Sequence, residues 1–408
     1  MVTMSSGNLE PAQSNAPNWP PIGAETYDWT SRSGFGPSAA IHAGSVKYDS
    51  SVPPTIADRT PAIDPEVAAV AEEAIRELSR FDAELGFQIA GFAPVLLRSE
   101  AASSSQIENL TASARAIFSA ELGARSGSNA ELIAANTNAL LTALKSADSI
   151  SSDSIRTIHQ VLMGTQTRHT PGEFRDEQVW IGTRADSPVG AEFVPPHHSR
   201  VPELIKDLTA FAERADVPAM TAIAITHAQF ETIHPFTDGN GRTGRAIVQT
   251  MLRQRGITRN VAVPVSAGLL ADVSRYHSAL TEYRRGNVDP IIRIFAEAAF
   301  RAIDNSTQLV TDLRRIRESW DSKLTARKNS NAWRLLDILI EHPVLNSATA
   351  AEELRVAQPN IYPPLKALVD AGIASSKAEH GLGPFWRSDE ILAAIDAFAQ
   401  RAGRRQNS

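Results

Sequence analysis

Apolar residues recur along most of this chain at the three- and four-residue spacing of a helix, so the pattern predicts a mainly α protein. Ile223, His227, Phe230 and His234 stand at offsets of four, seven and eleven, which is one face of a helix. Pro235 disfavours helical geometry at His234, so that helix is expected to stop there. A second helix is predicted from Arg245 to Arg255, with apolar pairs at Ile247/Val248 and Met251/Leu252 and Gly256 as its closing residue. Asp64 to Arg80 begins another helical run, and Asn305 to Arg327 reads as a charged helical connector. Near the C-terminus, Leu335, Leu336, Leu339 and Ile340 form one apolar face. Ala348 to Leu354 and Leu365 to Ala371, closed by Gly372, give two further short helices. Strand signals are few. They fall at Gln178 to Ile181, bounded by Gly182, and at Ile373 to Lys377 and Phe385 to Arg387, joined by a turn at Gly381 to Gly383. Met1 to Ala24 is rich in Ser, Asn, Pro and Gly and reads as a mobile tail. Tyr27 to Pro61 carries little periodicity.

Between the two central helices lies HPFTDGNGRTGR, His234 to Arg245. A histidine, a carboxylate four residues on, glycines and two arginines three apart put a base, an acid and an anion cradle into one loop. Glycines let backbone N–H groups approach an anion, and the second helix aims its positive N-terminus at the same point. GNGRTG formally fits the dinucleotide fingerprint, but that fingerprint must follow a strand and here a helix precedes it. A lone histidine ending an apolar face is commonly a core residue, and DGNG alone is ordinary turn chemistry. The conjunction is what points to phosphate chemistry.

The string resembles HxFx(D/E)GNGRxxR, the signature of the Fic family, whose members mostly transfer AMP from ATP to protein hydroxyl groups. Every fixed position is filled. The resemblance implies that His234 is the base for the target's Ser, Thr or Tyr hydroxyl, a role suited to imidazole. It implies that Asp238 holds Mg2+ on the α- and β-phosphates, as a hard cation prefers. Asn240 would contact the α-phosphate. Gly239, Gly241 and Arg242 would cradle the phosphates, with Gly244 in the same ATP-binding loop. Arg245 would pair with the γ-phosphate, and Phe236 would anchor the loop in the core. The kinase-like Doc branch carries lysine where this chain has Gly241, so glycine favours AMP transfer. Phosphocholine transfer stays open on the motif alone.

Further upstream, Ser104 to Asn109, SSQIEN, is similar to the family's (S/T)xxxE(G/N) inhibitory helix. That resemblance implies that Ser104, Glu108 and Asn109 form an autoinhibitory element, with Glu108 paired to Arg245 and the γ-phosphate blocked. Ser105 with Glu108 also makes an ordinary capping box. In some relatives the glutamate orients a water that removes AMP, so removal is the alternative direction. PGEFRDEQVWIG, residues 171 to 182, resembles the family's hairpin flap. There Gln178, Val179, Trp180 and Ile181 would pair with an extended target segment. A plain surface hairpin anchored by Trp180 is the alternative. Val194 to Pro196, VPP, follows where the family has it. Tyr276 and Leu280, ahead of Gly286, match the family's adenine segment. His277 replaces its second tyrosine, and Arg284 stands where some relatives have asparagine. Simple packing of Tyr276 with Leu280 and Tyr283 would explain the same spacing.

The resemblance extends over about two thirds of the chain. It implies a Fic helical core with a small β-hairpin flap and a C-terminal winged-helix domain. The expected divisions are a tail or arm over 1–60 and a helical region bearing the inhibitory helix over 61–150. A catalytic core over 151–304, a connector over 305–330 and a winged-helix-like unit over 331–408 follow. DNA binding through that unit is not favoured. Pro363 and Pro364 sit where a recognition helix should run, and Arg355, Lys366, Lys377 and Arg387 are a thin phosphate footprint. A protein contact or homodimer is the preferred role there. A DNA-binding regulator with a vestigial enzymatic domain is the third reading.

Composition adds limits. At 408 residues there is room for two or three domains. A net charge of −6 gives no general pull toward nucleic acid, and the absence of cysteine excludes disulfides and thiolate chemistry. No apolar run reaches a membrane span and the N-terminus lacks signal-peptide order, so a cytoplasmic location is the default expectation. ATP and Mg2+ are the expected co-substrate and cation. The expected partners are a protein bearing a Ser, Thr or Tyr hydroxyl and, incidentally, the chain itself.

Overall fold

The computed structural model describes residues 19–30, 45–86, 90–166, 168–182, 187–379 and 381–403. Its centre is an antiparallel pair, α7 (Ala219–Ile233) and α8 (Asn240–Gln254), joined by the loop singled out above. Every residue of α7 from Met220 to Ile233 is buried, because other helices cover it on all sides. Those neighbours are α1 (Pro65–Gly86), α6 (Val201–Ala212), α10 (Val273–Arg284) and the 35-residue α11 (Asp289–Lys323). α8 packs on α4 (Ser128–Lys145) and α5 (Ser152–Met163). Its end follows the sequence signal: Gly256 at φ +69 closes the helix, with Ile257 N–H on Leu252 O at 3.0 Å and Gly256 N–H on Arg253 O at 2.9 Å.

α2 (Ala93–Ile107) and α3 (Ala114–Glu121) complete the body. α2 lies against α4, α8 and α9 (Val265–Leu270). It is fixed there by polar contacts that are fully buried. Asn136 Nδ2 donates to Ala101 O (2.9 Å) and to Ser105 Oγ (3.1 Å), while the Glu100 carboxylate accepts from Ser266 N (2.9 Å) and Oγ (2.6 Å). Buried groups satisfied in this way set the register of α2 on the core.

The N-terminal segment corrects the expectation drawn from composition. Residues 1–18 of the expected tail lie outside the described residues, but Trp19 is buried edge-on to Phe211 with its N–H on Gly286 O at 3.0 Å. Beyond it, β1 (Gly23–Trp29) pairs antiparallel with β2 (Val46–Val52). The strands escaped the sequence pattern because β1, GAETYDW, has one face exposed and the other, Glu25, Tyr27 and Trp29, only half-buried, with a charge among the aromatics.

In the C-terminal unit the order is α12 (Asn331–Glu341), β3 (Val344–Leu345), α13 (Ser347–Leu354), α14 (Tyr362–Asp370), β4 (Ser375–Glu379) and β5 (Gly383–Arg387). The three strands form one sheet in the order β3-β5-β4. Pro363 and Pro364 do not break α14: they occupy its first turn, where a missing N–H costs nothing. These prolines are therefore compatible with a helix at the recognition position. α15 (Asp389–Gly403), absent from the sequence reading, returns to the body and packs on α2, α3, α9 and α11. Ala114 N–H donates to Asp396 Oδ1 at 2.7 Å, and Trp320 Nε1 donates to Glu390 Oε2 at 2.7 Å. The division expected after residue 304 falls inside the continuous α11.

Candidate active site

His234 ends α7 in a left-handed conformation, φ 50 and ψ 62, a strained geometry for a residue with a side chain. Pro235 explains why the helix cannot continue, and Arg175 explains what holds the strain. Its Nε donates to His234 O at 2.9 Å, and its other nitrogens donate to Glu177 O (3.0 Å), Pro196 O and Ile233 O (3.4 Å). Arg175 N–H also donates to Pro235 O at 2.9 Å. One buried guanidinium thus ties the flap segment to the backbone of His234. Burial, then the charges of Arg175 and Arg284, push the His234 imidazole down to about 4, so it is neutral at pH 7. Its Nδ1 is buried without a hydrogen-bond partner among the described residues.

The loop itself is closed from within. Phe236 is fully buried and stacks on His159 with centroids 3.6 Å apart. Asn240 Oδ1 accepts from Phe236 N and its Nδ2 donates to Phe236 O, both at 2.9 Å. The Asn240 side-chain amide thus locks the loop. The N–H groups in the first turn of α8 have no intrahelical acceptor and are the donors an anion meets. Gly239 enters that turn at φ +75. Gly244 meets a packing demand. A Cβ there would lie 2.8 Å from Glu231 Oε1 and 3.0 Å from Phe230 Cδ1, so this glycine permits close contact of α7 with α8. Gly244→Ala is expected to destabilise by about 1–3 kcal/mol through overpacking. Urea unfolding would read it as a lower midpoint at unchanged slope.

Asp238 Oδ1 accepts from Gly239 N at 2.6 Å, while Oδ2 faces outward, 4.0 Å from Arg242. A half-exposed carboxylate beside an anion cradle fits a hard cation shared with phosphate oxygens and waters. Among the described residues no group of three or more His, Cys, Asp or Glu could cage a metal alone. Arg242 is buried with Nη1 unpartnered.

Arg245 is buried, and its donors converge on the end of α2. Nε donates to Ser104 Oγ (2.9 Å); Nη2 donates to Ser104 O (2.8 Å) and to Glu108 Oε1 (2.8 Å). The ion pair implied by the resemblance is thus present. Burial works against ionised Glu108, but Arg245, Arg242 and His234 outweigh it and hold its carboxyl below the usual range. Asn109 takes φ 61 just past the helix end, and Leu110 N–H bonds Ser105 O at 3.0 Å. A left-handed closing residue favours Gly or Asn, which is the physical content of the last motif position. The capping-box reading of Ser105 falls, since Ser105 lies inside α2 with its hydroxyl on Ala101 O at 2.8 Å. A Cβ on Gly241 would collide with the Glu108 carboxylate, so glycine there admits the pair.

Around these groups stand residues the sequence reading passed over. Glu231 is buried with Oε1 unpartnered, and burial pushes its carboxyl up to about 7 against the pull of Arg245. Tyr276, expected at the adenine, is buried with its hydroxyl 2.7 Å from His227 Nε2, which is the packing alternative; His277 is exposed next to it. The Arg284 guanidinium lies 3.7 Å over the Phe193 ring.

The expected flap hairpin reduces, among the described residues, to one antiparallel bridge between Ile181 and Phe193. It is built into a larger surface. Ser51 N–H of β2 donates to Val194 O at 3.0 Å, Gln178 Nε2 to Val179 O (3.0 Å) and Pro195 O (2.9 Å), and Trp180 meets Trp29 of β1 edge-on at 5.1 Å. Ile181 stays exposed.

Residues 149–252, which contain the loop, match the model of the Fic/DOC family. The chain is similar to protein adenylyltransferase fic-1 of Caenorhabditis elegans, 27% identical over 186 residues, covering 45% of this chain and 34% of that protein. Protein adenylyltransferase Fic of Nematostella vectensis is 30% identical over 170 residues, covering 40% of this chain and 35% of that protein. The chain thus spans about a third of the length of these curated relatives. A crystal structure of a Fic family protein from Desulfovibrio desulfuricans G20 superposes with a TM-score of 0.51 at 20% identity, covering 80% of this chain and 97% of that chain. At that identity the likeness is one of fold.

Proposed function

This chain belongs to the Fic family, and from that premise we propose that it is a protein adenylyltransferase held silent by its own α2. The substrate is ATP, and the acceptors are Ser, Thr or Tyr hydroxyls of a target protein, with self-modification as an incidental outcome. The ion pair between Arg245 and Glu108 at the intact loop carries this reading. Neutral His234 takes the acceptor's proton, its oxygen attacks the α-phosphorus, the bond from that phosphorus to the bridging oxygen breaks, and pyrophosphate leaves. First-turn N–H groups of α8 and Arg242 receive the phosphate charge, and Arg245 takes the γ-phosphate once Glu108 has left it. Mg2+ on Asp238 would supply charge neutralisation on the α- and β-phosphates. The first test is label transfer to protein by the Glu108→Gly variant, from ATP tagged at the α-phosphate and, separately, at the γ-phosphate. Incorporation from the γ-tag alone would replace adenylyl transfer by a kinase reaction.

Removal of AMP is the second reading, supported by one observation: Glu108 is engaged on Arg245, in the loop that His234 opens. Release of AMP from a modified protein by the unaltered chain, lost in Glu108→Gly, would support it. Arg175 serves either direction as a positioning residue. Arg175→Met is expected to lower kcat tenfold or more with KM for ATP little changed, since it releases the His234 backbone without touching the phosphate cradle. A change confined to KM would sink that assignment.

The C-terminal unit follows winged-helix order, and two of the four cations named there are paired with neighbours. Lys366 pairs with Asp370 at 2.7 Å and Arg387 with Asp389 at 3.0 Å. We therefore assign it to protein contact or a second copy of the chain rather than DNA; retention of random DNA on filters at low salt would reverse this. No helix among the described residues is long and apolar enough to cross a membrane. The need for ATP supports a cytoplasmic setting.

A further inference from the structure

We propose that His169 is a second protein ligand, beside Asp238, for the divalent cation of the reaction, so that this site prefers Mn2+ or a similar nitrogen-accepting ion to Mg2+. The inference rests on the reading of Asp238 as the cation's carboxylate.

His169 Nε2 lies 3.8 Å from Asp238 Oδ2. That is too long for a hydrogen bond. Two ligands on one cation, each at about 2.1 Å, stand about 3 Å apart when adjacent, so a closure of under about 1 Å brings this pair into one coordination sphere. The ring is already aimed: Nδ1 lies 2.9 Å from Thr237 Oγ1, and when Nδ1–H donates to that hydroxyl the Nε2 lone pair faces Asp238.

The two loops are also registered on each other. Gly172 N–H donates to His159 Nδ1 at 2.9 Å, which requires the proton of His159 on Nε2, and that N–H reaches Asp238 O at 3.1 Å. One neutral imidazole, clamped on Phe236, thus bonds both the segment bearing His169 and the peptide of Asp238. Arg156 Nε holds the same segment through Gly172 O at 2.7 Å. The nearby positive group is Arg242, 4.0 Å from Asp238 Oδ2; ATP phosphates between them offset its repulsion of a cation. A site of one carboxylate and one imidazole, completed by phosphate and water, raises affinity for Mn2+ relative to Mg2+, which takes oxygen almost exclusively.

Pulsed electron paramagnetic resonance of Mn2+ tests this directly. The sample is full-length Glu108→Gly protein with Mn2+ and an ATP analogue blocked at the α–β bridge, grown with unlabelled or 15N-labelled histidine. A directly bound imidazole nitrogen is expected in the echo modulation, shifted by the label and absent from His169→Ala and His169→Gln. Mn2+ affinity should fall about tenfold or more in both variants while Mg2+ affinity changes little. Analogue-dependent Mn2+ that is lost in Asp238→Ala but shows no histidine nitrogen overturns the second ligand and leaves adenylyl transfer standing. Mn2+ binding indifferent to Asp238→Ala overturns the cation site itself.

Discussion

Glu108→Gly is expected to raise label incorporation from α-tagged ATP into the protein by at least about tenfold. A charge-assisted hydrogen bond contributes about 1.5–3 kcal/mol, and each 1.4 kcal/mol is a factor of ten. The Glu108 side chain is 42% exposed, so solvent screening favours the lower end of that range. The same exposure gives the carboxylate a way out: it sits at the C-terminal cap of α2 and can turn toward solvent while α2 stays pinned by Asn136 and Glu100. The variant should remain folded, because Arg245 keeps both bonds to Ser104 and has Glu231 nearby. Equal labelling of the unaltered protein and the variant, both with unchanged melting, would show that the ion pair does not gate ATP.

The parts of this site legible in the sequence are the local ones. A helix stopped by proline, a glycine turn and a second helix closed by Gly256 each depend on neighbours within a few residues. The Arg245–Glu108 pair spans 137 positions and was legible only through a family resemblance. Arg175 was quoted as part of the flap, yet nothing in its local sequence says that its guanidinium crosses to the backbone of His234 59 positions on. Asn240 carries a second role that the motif does not show, since its side-chain amide bonds the loop's own peptide groups at Phe236. The packing demand at Gly244 was not legible either, because the sequence does not show that Phe230 and Glu231 press on it.

The fold divides along the same line. Strands β1 and β2 give little apolar signal because β1 is at most half-buried and two of the buried positions of β2 are Ser50 and Ser51, and their pairing joins residues with a stretch outside the described structure between them. Pro363 and Pro364 were read as interior because the start of α14 has no polar cap to mark it; Ile361 precedes it without a side-chain bond. What α15 adds is tertiary as well. It returns the C-terminal unit to α2 and α3, so the segment carrying Glu108 lies between the catalytic helices and that unit.

His234→Ala placed on Glu108→Gly is expected to remove the gain, with a loss of about a hundredfold to ten-thousandfold, the usual contribution of a positioned general base. The substitution is mild for the fold. Arg175 bonds the main-chain oxygen of residue 234, which alanine keeps, and the change deletes a buried Nδ1 that has no partner. Melting should therefore hold steady while labelling collapses. The pH profile separates this base from an ordinary histidine. Burial and the charges of Arg175 and Arg284 hold His234 at about 4, and Glu108 pulls it upward, so its removal in Glu108→Gly lowers the imidazole further. A base with a depressed pKa stays unprotonated as pH falls through 6.5, and kcat/KM for the Glu108→Gly enzyme should keep its plateau down to near pH 5 and decline only toward about 4. An acid limb centred at 6.5 would mean that the proton is taken by a group other than the buried His234, and a gain that survives His234→Ala would reassign the base altogether.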